Sequence, residues 1–270
     1  MKAKSRMLLL VAAFVVSGAG CGNGMEDIRG PEGYSLVWND EFDTGNSLPD
    51  DEWRFETGKT GWGNNELQNY VAGLGADTAA QVEGGILKIT AKKREGEVIS
   101  ARINTQRSWL YGYFEARLKL PGGNGTWPAF WMLPENFVKF PDDGEIDIME
   151  AVGYDPGWVH AGVHTKQYTG ETVKNERKYI PTTQSDFHVY AVEWTPDFIK
   201  GYVDSEVYFE FLNDHEENGD TWPFNKPFYL KLNLAWGGNW GGIGGIDESC
   251  LPALYEIDYV RVYQKSPAEF

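Results

Sequence analysis

Three carboxylates crowd into six residues in the stretch Gly144-Glu145-Ile146-Asp147-Ile148-Met149-Glu150. The run is too rich in β-branched residues to favour a helix. Glu145 and Asp147 alternate with Ile146 and Ile148 at the two-residue period of a strand, so they share one face. Glu150 is out of phase and would point to the opposite face of a regular strand. A β-bulge at Ile148-Met149 adds one residue and returns Glu150 to the side of the other two acids. Carboxylates grouped in this way repel, so the group must keep at least one proton above the ordinary carboxylate range. Glu150, last on the bulged strand, is expected to hold the higher pKa of the set. A protonated carboxyl beside an ionised one suits cleavage of a glycosidic bond. One acid protonates the leaving oxygen while the other attacks or stabilises the sugar. A lone E-x-D pattern is more often a solvated strand face, so the surroundings decide.

The elements that must position these acids read as short strands between Gly- and Pro-rich turns. Candidates are 35–38, 85–92, 112–120, 129–133, 145–152, 160–164, 188–194, 198–203, 207–211, 228–234 and 256–263. In 112–120, Phe114, Ala116 and Leu118 alternate with Tyr113, Glu115, Arg117 and Lys119. No long helical period appears. Many short strands predict an all-β sandwich or jelly roll. The length of 270 residues fits one domain, and 41% apolar residues suffice for a sizeable core. A net charge of −16 argues against a nucleic-acid partner and mildly against a polyanionic substrate. There is no Gly-rich phosphate loop, no G-x-S-x-G turn and no zinc-type Cys/His spacing.

Residues 1–21 read as an export signal. Lys2, Lys4 and Arg6 precede an apolar run from Met7 to Val16 that is too short to span a bilayer, then Ser17-Gly18-Ala19-Gly20-Cys21. Small residues ending at a Cys resemble a bacterial lipoprotein cleavage site, with Cys21 lipidated. Gly18 stands where Leu is usual, which leaves ordinary cleavage nearby as the alternative. The expectation is a cell-envelope lipoprotein, membrane-bound only through its lipid, or else a secreted protein. Residues 22–33 read as a tether, and 34–264 as the catalytic domain. Cys250, the other cysteine, is expected to be a buried, inert thiol.

From about Leu36 to Tyr263 the chain resembles glycoside hydrolase family 16, in particular its laminarinase-like endo-β-1,3-glucanases. The central block is E-[IL]-D-[IV]-x-E, met by Glu145, Asp147 and Glu150. Further blocks follow in the family's order. They are Val37 to Asp43, Gly61-Trp62-Gly63-Asn64-Asn65-Glu66-Leu67-Gln68, Ser100 to Ile103, Tyr111 to Arg117, Thr126 to Met132, Asn233 to Trp240 and Ile257 to Tyr263. The resemblance implies a concanavalin A-like jelly roll with a concave, glycan-binding cleft. It implies retaining hydrolysis without a cofactor, with Glu145 as nucleophile, Glu150 as general acid/base and Asp147 tuning the shared protonation. Retention needs the two carboxyls close together, which agrees with the bulged strand.

The resemblance also places Trp127, Trp131 and Trp240 along the cleft, where indole rings stack on the C–H faces of sugars. A core indole is the competing reading for Trp127 and Trp131. Trp38 and Trp53 read as core, and the role of Trp236 stays open. Asn64, Asn65, Glu66 and Arg102 border the substrate in relatives, with plain loop hydrogen bonding as the alternative. His164 either bonds a carboxylate or substrate, or is a satisfied core histidine. A structural Ca²⁺ on Glu41, the Gly85 carbonyl and Asp258 is implied on the convex side. The expected partner is a laminarin-type β-glucan, cut by a monomer. Mixed-linkage glucan, agarose and carrageenan are alternative substrates. A non-catalytic glucan-binding protein is the alternative from another class.

Overall fold

The computed structural model describes residues 30–43 and 45–266. The expected targeting segment, Cys21 and most of the expected tether lie outside them. Seventeen strands are found among the described residues, in chain order β1 (Ser35–Asp40), β2 (Trp53–Glu56), β3 (Asn69–Tyr70), β4 (Ala80–Glu83), β5 (Ile86–Arg94), β6 (Glu97–Ser100), β7 (Arg102–Thr105), β8 (Gly112–Lys119), β9 (Thr126–Pro134), β10 (Glu145–Glu150), β11 (Trp158–His164), β12 (Lys174–Tyr179), β13 (His188–Trp194), β14 (Phe198–Val203), β15 (Glu206–Leu212), β16 (Phe228–Trp236) and β17 (Ala253–Gln264). One sheet runs β15-β14-β13-β8-β17-β5-β6-β3, with β1 on β17 and β4 on β5. The other runs β12-β11-β10-β9-β16-β7-β2. This is the all-β, two-sheet jelly roll that the strand pattern predicts.

Every expected strand is present. The six that pattern reading passes over are β2, β3, β4, β6, β7 and β12, and the reason is physical. Five of them have four residues or fewer, too short to display a period. β12 reads Lys-Asn-Glu-Arg-Lys-Tyr and lies at a sheet edge, so it carries no apolar stripe.

The core fills the space between the sheets. Phe114, Ala116 and Leu118 of β8 are fully buried, as are Leu230, Leu232 and Leu234 of β16. Phe130 and Met132 of β9 and Ile146 of β10 join the β16 leucines on the core face of the second sheet, and β8 belongs to the first. Trp38 and Trp53 are core residues as expected, and their indoles donate to Glu52 and Asp40 at 2.7 and 2.8 Å. Trp236 is also core, packed where Gly125 leaves no side chain. Cys250 is half-buried rather than fully buried, sits against Gly123, and has its thiol pushed up by burial.

Candidate active site

Strand β10 lies between β9 and β11 in the middle of the seven-stranded sheet. On β9, Asp147 opposes Trp131 and Met149 opposes Phe130, so Ile148 has no counterpart. On β11, Asp147 opposes Gly162 and Glu150 opposes His160, so two residues fill the place of one. This is the bulge expected from the parity of the acids. Ile146, Ile148 and Met149 are all fully buried, while Glu145, Asp147 and Glu150 line the cleft on the other face. Gly144 holds the entry to the strand at φ +87°, and a Cβ there would come within 2.8 Å of the Pro223 ring.

His164 stands beside the acids, its Nε2 3.3 Å from Asp147 Oδ2 and 3.9 Å from Glu145 Oε1. Neither Asp147 Oδ2 nor His164 Nδ1 has an aligned hydrogen-bond partner. The Trp127 indole donates to Glu150 Oε1 at 2.9 Å. Burial pushes the Asp147 carboxyl up to about 7. Burial and then the Asp147 charge push Glu150 up to about 8, against the pull of the Trp127 hydrogen bond. The same two causes hold Glu145 well above the ordinary glutamate range, with His164 pulling it down. All three acids are therefore held above the ordinary carboxylate range. A proton on Asp147 removes a negative charge that raises both glutamates, so it eases the ionisation of either one.

The cleft has a volume of about 710 Å³. Trp127, Trp131, Trp240, Asn64, Glu66, Arg102 and His164 all line it, as the resemblance implies. Arg102 stacks between Trp62 and Trp131, 4.5 and 4.9 Å from the ring centres, and pairs with Glu56. The Trp131 indole donates to Asn233 Oδ1 at 2.7 Å. Glu66 is buried and accepts from Gln68 and Tyr70, which fixes it in the wall. Its loop is tied down where Gly238, at φ +79°, lets Asn239 N donate to the Asn64 carbonyl at 2.7 Å.

One candidate stands apart from the others. Asn65 does not line the cleft; in a left-handed turn at φ +55° it donates to Asn239 Oδ1 at 2.8 Å. Sequence reasoning missed Glu56, Asn233 and Lys231. Lys231 is fully buried beneath Trp131 and donates to Glu56 at 2.9 Å and to Asn104 at 2.6 Å. Burial and the nearby Arg102 lower it to about 7. Burial alone would raise Glu56, but Arg102 and Lys231 outweigh it and hold Glu56 down at about 2. Asn233 heads a block quoted above and was within reach of sequence reasoning. Glu56 depends on the short strand β2, which carries no period.

The residues of the expected Ca²⁺ site do not fit that ion as placed. Glu41 accepts two hydrogen bonds from Arg261, both 2.8 Å, and Asp258 pairs with Arg117. Guanidinium groups already supply the positive charge there. Glu145, Asp147 and His164 bring one donor atom each within 4.8 Å of one another. A cation there would occupy the carboxylate that has to react.

Residues 67–261 match the model of the glycosyl hydrolases family 16. The chain belongs to this family. It is 47% identical over 247 residues to a beta-glucanase of Rhodothermus marinus, covering 86% of this chain and 85% of that protein. Among solved structures, the laminarinase of Rhodothermus marinus superposes with a TM-score of 0.80 at 46% identity, over 86% of this chain and 97% of that one. SCLam, a non-specific endo-beta-1,3(4)-glucanase of family GH16, superposes with a TM-score of 0.83 at 43% identity, over 88% and 94%. The family 16 chain is thus a glycoside hydrolase, and catalysis by family 16 hydrolases needs no cofactor.

Proposed function

We propose that the protein hydrolyses internal β-1,3-glucosidic bonds of laminarin-type glucans with retention of anomeric configuration. The observation that carries this reading is the bulge at Ile148, which sets Glu150 beside Glu145 on the floor of a Trp-lined cleft. Glu145 attacks the anomeric carbon as Glu150 gives its proton to the leaving oxygen, which leaves a glycosyl ester on Glu145. Glu150, now ionised, takes a proton from water, and the hydroxyl displaces Glu145 by attack from the face that the leaving group vacated, opposite the ester bond. Trp127 keeps the Glu150 carboxyl aimed at the bond in both steps. Asp147 takes up the proton that lets Glu145 ionise. The likeness to a beta-glucanase and a laminarinase supports the β-1,3 assignment. Incubation with laminarin, lichenan, agarose and carrageenan, with product sizing, tests it. Oligomers from laminarin are expected, and NMR of the first product should show the β-anomer. Preferential cutting of agarose or carrageenan, or an initial α-anomer, would overturn the reading.

We propose, further, that Cys21 is the lipidated N-terminus of an exported protein. The basic, apolar, Gly-Ala-Gly-Cys order supports this. Partitioning into the membrane fraction should vanish in Cys21→Ala. Mass spectrometry that finds an unmodified Cys21 in the mature chain would refute it.

A further inference from the structure

The cleft face does not stop at His160. Along β11, Val159, Ala161 and Val163 point into the core, so Trp158, His160 and His164 point to the cleft side. On β12, Tyr179 lies opposite Trp158, and Arg177 lies opposite His160. Residues paired across antiparallel strands share a face. Trp158, Arg177 and Tyr179 therefore continue the catalytic face to the edge of the sheet.

The continuity is physical. Starting at Glu150, the Trp127 ring meets Trp240 edge-on at 5.5 Å, and Trp240 meets His160 at 4.9 Å. His160 is lowered to about 4 by burial and the nearby Arg177, so it is neutral and offers hydrogen bonds rather than charge. Beyond it, Arg177 lies 4.1 Å over the Trp158 ring, which contacts Tyr179 at 5.3 Å. Arg177 also pairs with Asp155 at 3.3 Å, so it is held in place. Tyr179 is 55% exposed, an unusual position for a large ring on a strand whose other residues are charged or polar. Apolar ring faces beside fixed polar donors are what a pyranose requires: its C–H face stacks while its hydroxyls bond.

We propose that Trp158, Arg177 and Tyr179 form a distal sugar-binding subsite. It would hold a glucose unit of the same glucan where the chain leaves the cleft across β11 and β12. This rests on the β-glucan reading above. A short oligosaccharide seated at the acids ends before it reaches this subsite, and a long chain does not.

The test measures kcat/KM on a series of β-1,3-gluco-oligosaccharides of increasing length and on laminarin, for the wild type, Tyr179→Ala, Trp158→Ala and Tyr179→Phe. Tyr179→Ala should lower the ratio of long-chain to short-chain kcat/KM by about three- to tenfold, the scale of one aromatic stacking contact. Tyr179→Phe keeps the ring and should restore the ratio. Calorimetry of laminarin on Glu145→Ala, with and without Tyr179→Ala, should give the same loss in affinity without turnover. Trp158→Ala is the second probe, with thermal unfolding to show that it folds. A ratio unchanged in Tyr179→Ala, or a loss equal at every chain length, would overturn the subsite and leave the β-glucan reading intact. A wild type inert on the whole series would overturn the β-glucan reading and this subsite with it.

Discussion

At the scale of single residues, the site depends on where a few protons reside. Glu150 is held up at about 8 by burial and by Asp147, so its protonated form persists through neutral pH. The acid is lost as pH rises through that value, and kcat/KM on laminarin should fall above about pH 8. Trp127→Phe removes a donor that stabilises the ionised form, so it should move this limb upward and slow turnover about three- to tenfold. Glu150→Ala should cost about 10²–10⁴-fold on laminarin and less on a substrate with an activated phenolate leaving group. Azide should restore turnover of that substrate and give the β-azide. Glu145→Ala should give the α-azide instead. The reverse stereochemistry would exchange the two roles. Asp147 Oδ2, buried and without an aligned partner, is the atom most open to taking up the shared proton.

At the scale of the element, the bulge in β10 keeps the three acids on one face. Ile148 has no partner on β9, and in a regular strand of the same sequence, without the bulge that takes up this extra residue, Glu150 would point to the core face among residues such as Phe130 and Met132. Burying a carboxyl there is expensive. Deletion of Ile148 removes the bulge and its extra residue together and leaves Glu145, Asp147 and Glu150 in strict alternation, so hydrolysis should persist, whereas Ile148→Val keeps the bulge and should retain activity with a loss of about 0.5–1.5 kcal/mol in stability. Activity assays and thermal unfolding of the two variants check this. A deletion variant that folds with a normal melting temperature but does not hydrolyse glucan would show that the bulge geometry itself, and not strand parity alone, places Glu150. Strands β7 and β16 position the Trp131 wall of the cleft through their regular register. Their register sets Lys231 beside Asn104 and Trp131, and Glu56 on neighbouring β2 joins the pair to Arg102.

At the scale of the whole molecule, the cleft is a place where stability is given up. Asp147 and Glu150 are raised above their unfolded values, to about 7 and about 8. Between about pH 4 and pH 8 the folded state holds protons that the unfolded chain releases. This contribution is therefore fully present below about pH 4 and is lost as pH rises through the folded values. Lys231 acts in the opposite sense above pH 7, because its folded pKa is depressed to about 7. The acid cluster is isolated by comparing variants. Glu150→Gln, which cannot ionise, should be more stable than the wild type at pH 8 by on the order of 1–3 kcal/mol, and close to it at pH 4. Thermal unfolding at both pH values measures the difference. Equal stability at pH 8 would mean that the cleft does not hold Glu150 protonated.

The sequence alone determined the sheet-forming segments, because strands long enough to show a period carry their own signal. Phe114, Ala116 and Leu118 announce a buried face whatever lies opposite. It also determined the bulge, because three acids spaced two and three apart on a β-branched run share a face only with an inserted residue. The family blocks placed Trp127, Trp131, Trp240 and Arg102 at the cleft. Only the tertiary structure decided how those side chains are held. Glu56, Lys231 and Asn104 come from three separate strands and meet only through register, and no local pattern encodes a contact across 127 or 175 positions. Asn65 turned away for the same reason: its partner, Asn239, lies 174 residues further along the chain. The edge strand β12 left no apolar trace, so the face on which Tyr179 lies became visible only once β11 was paired beside it.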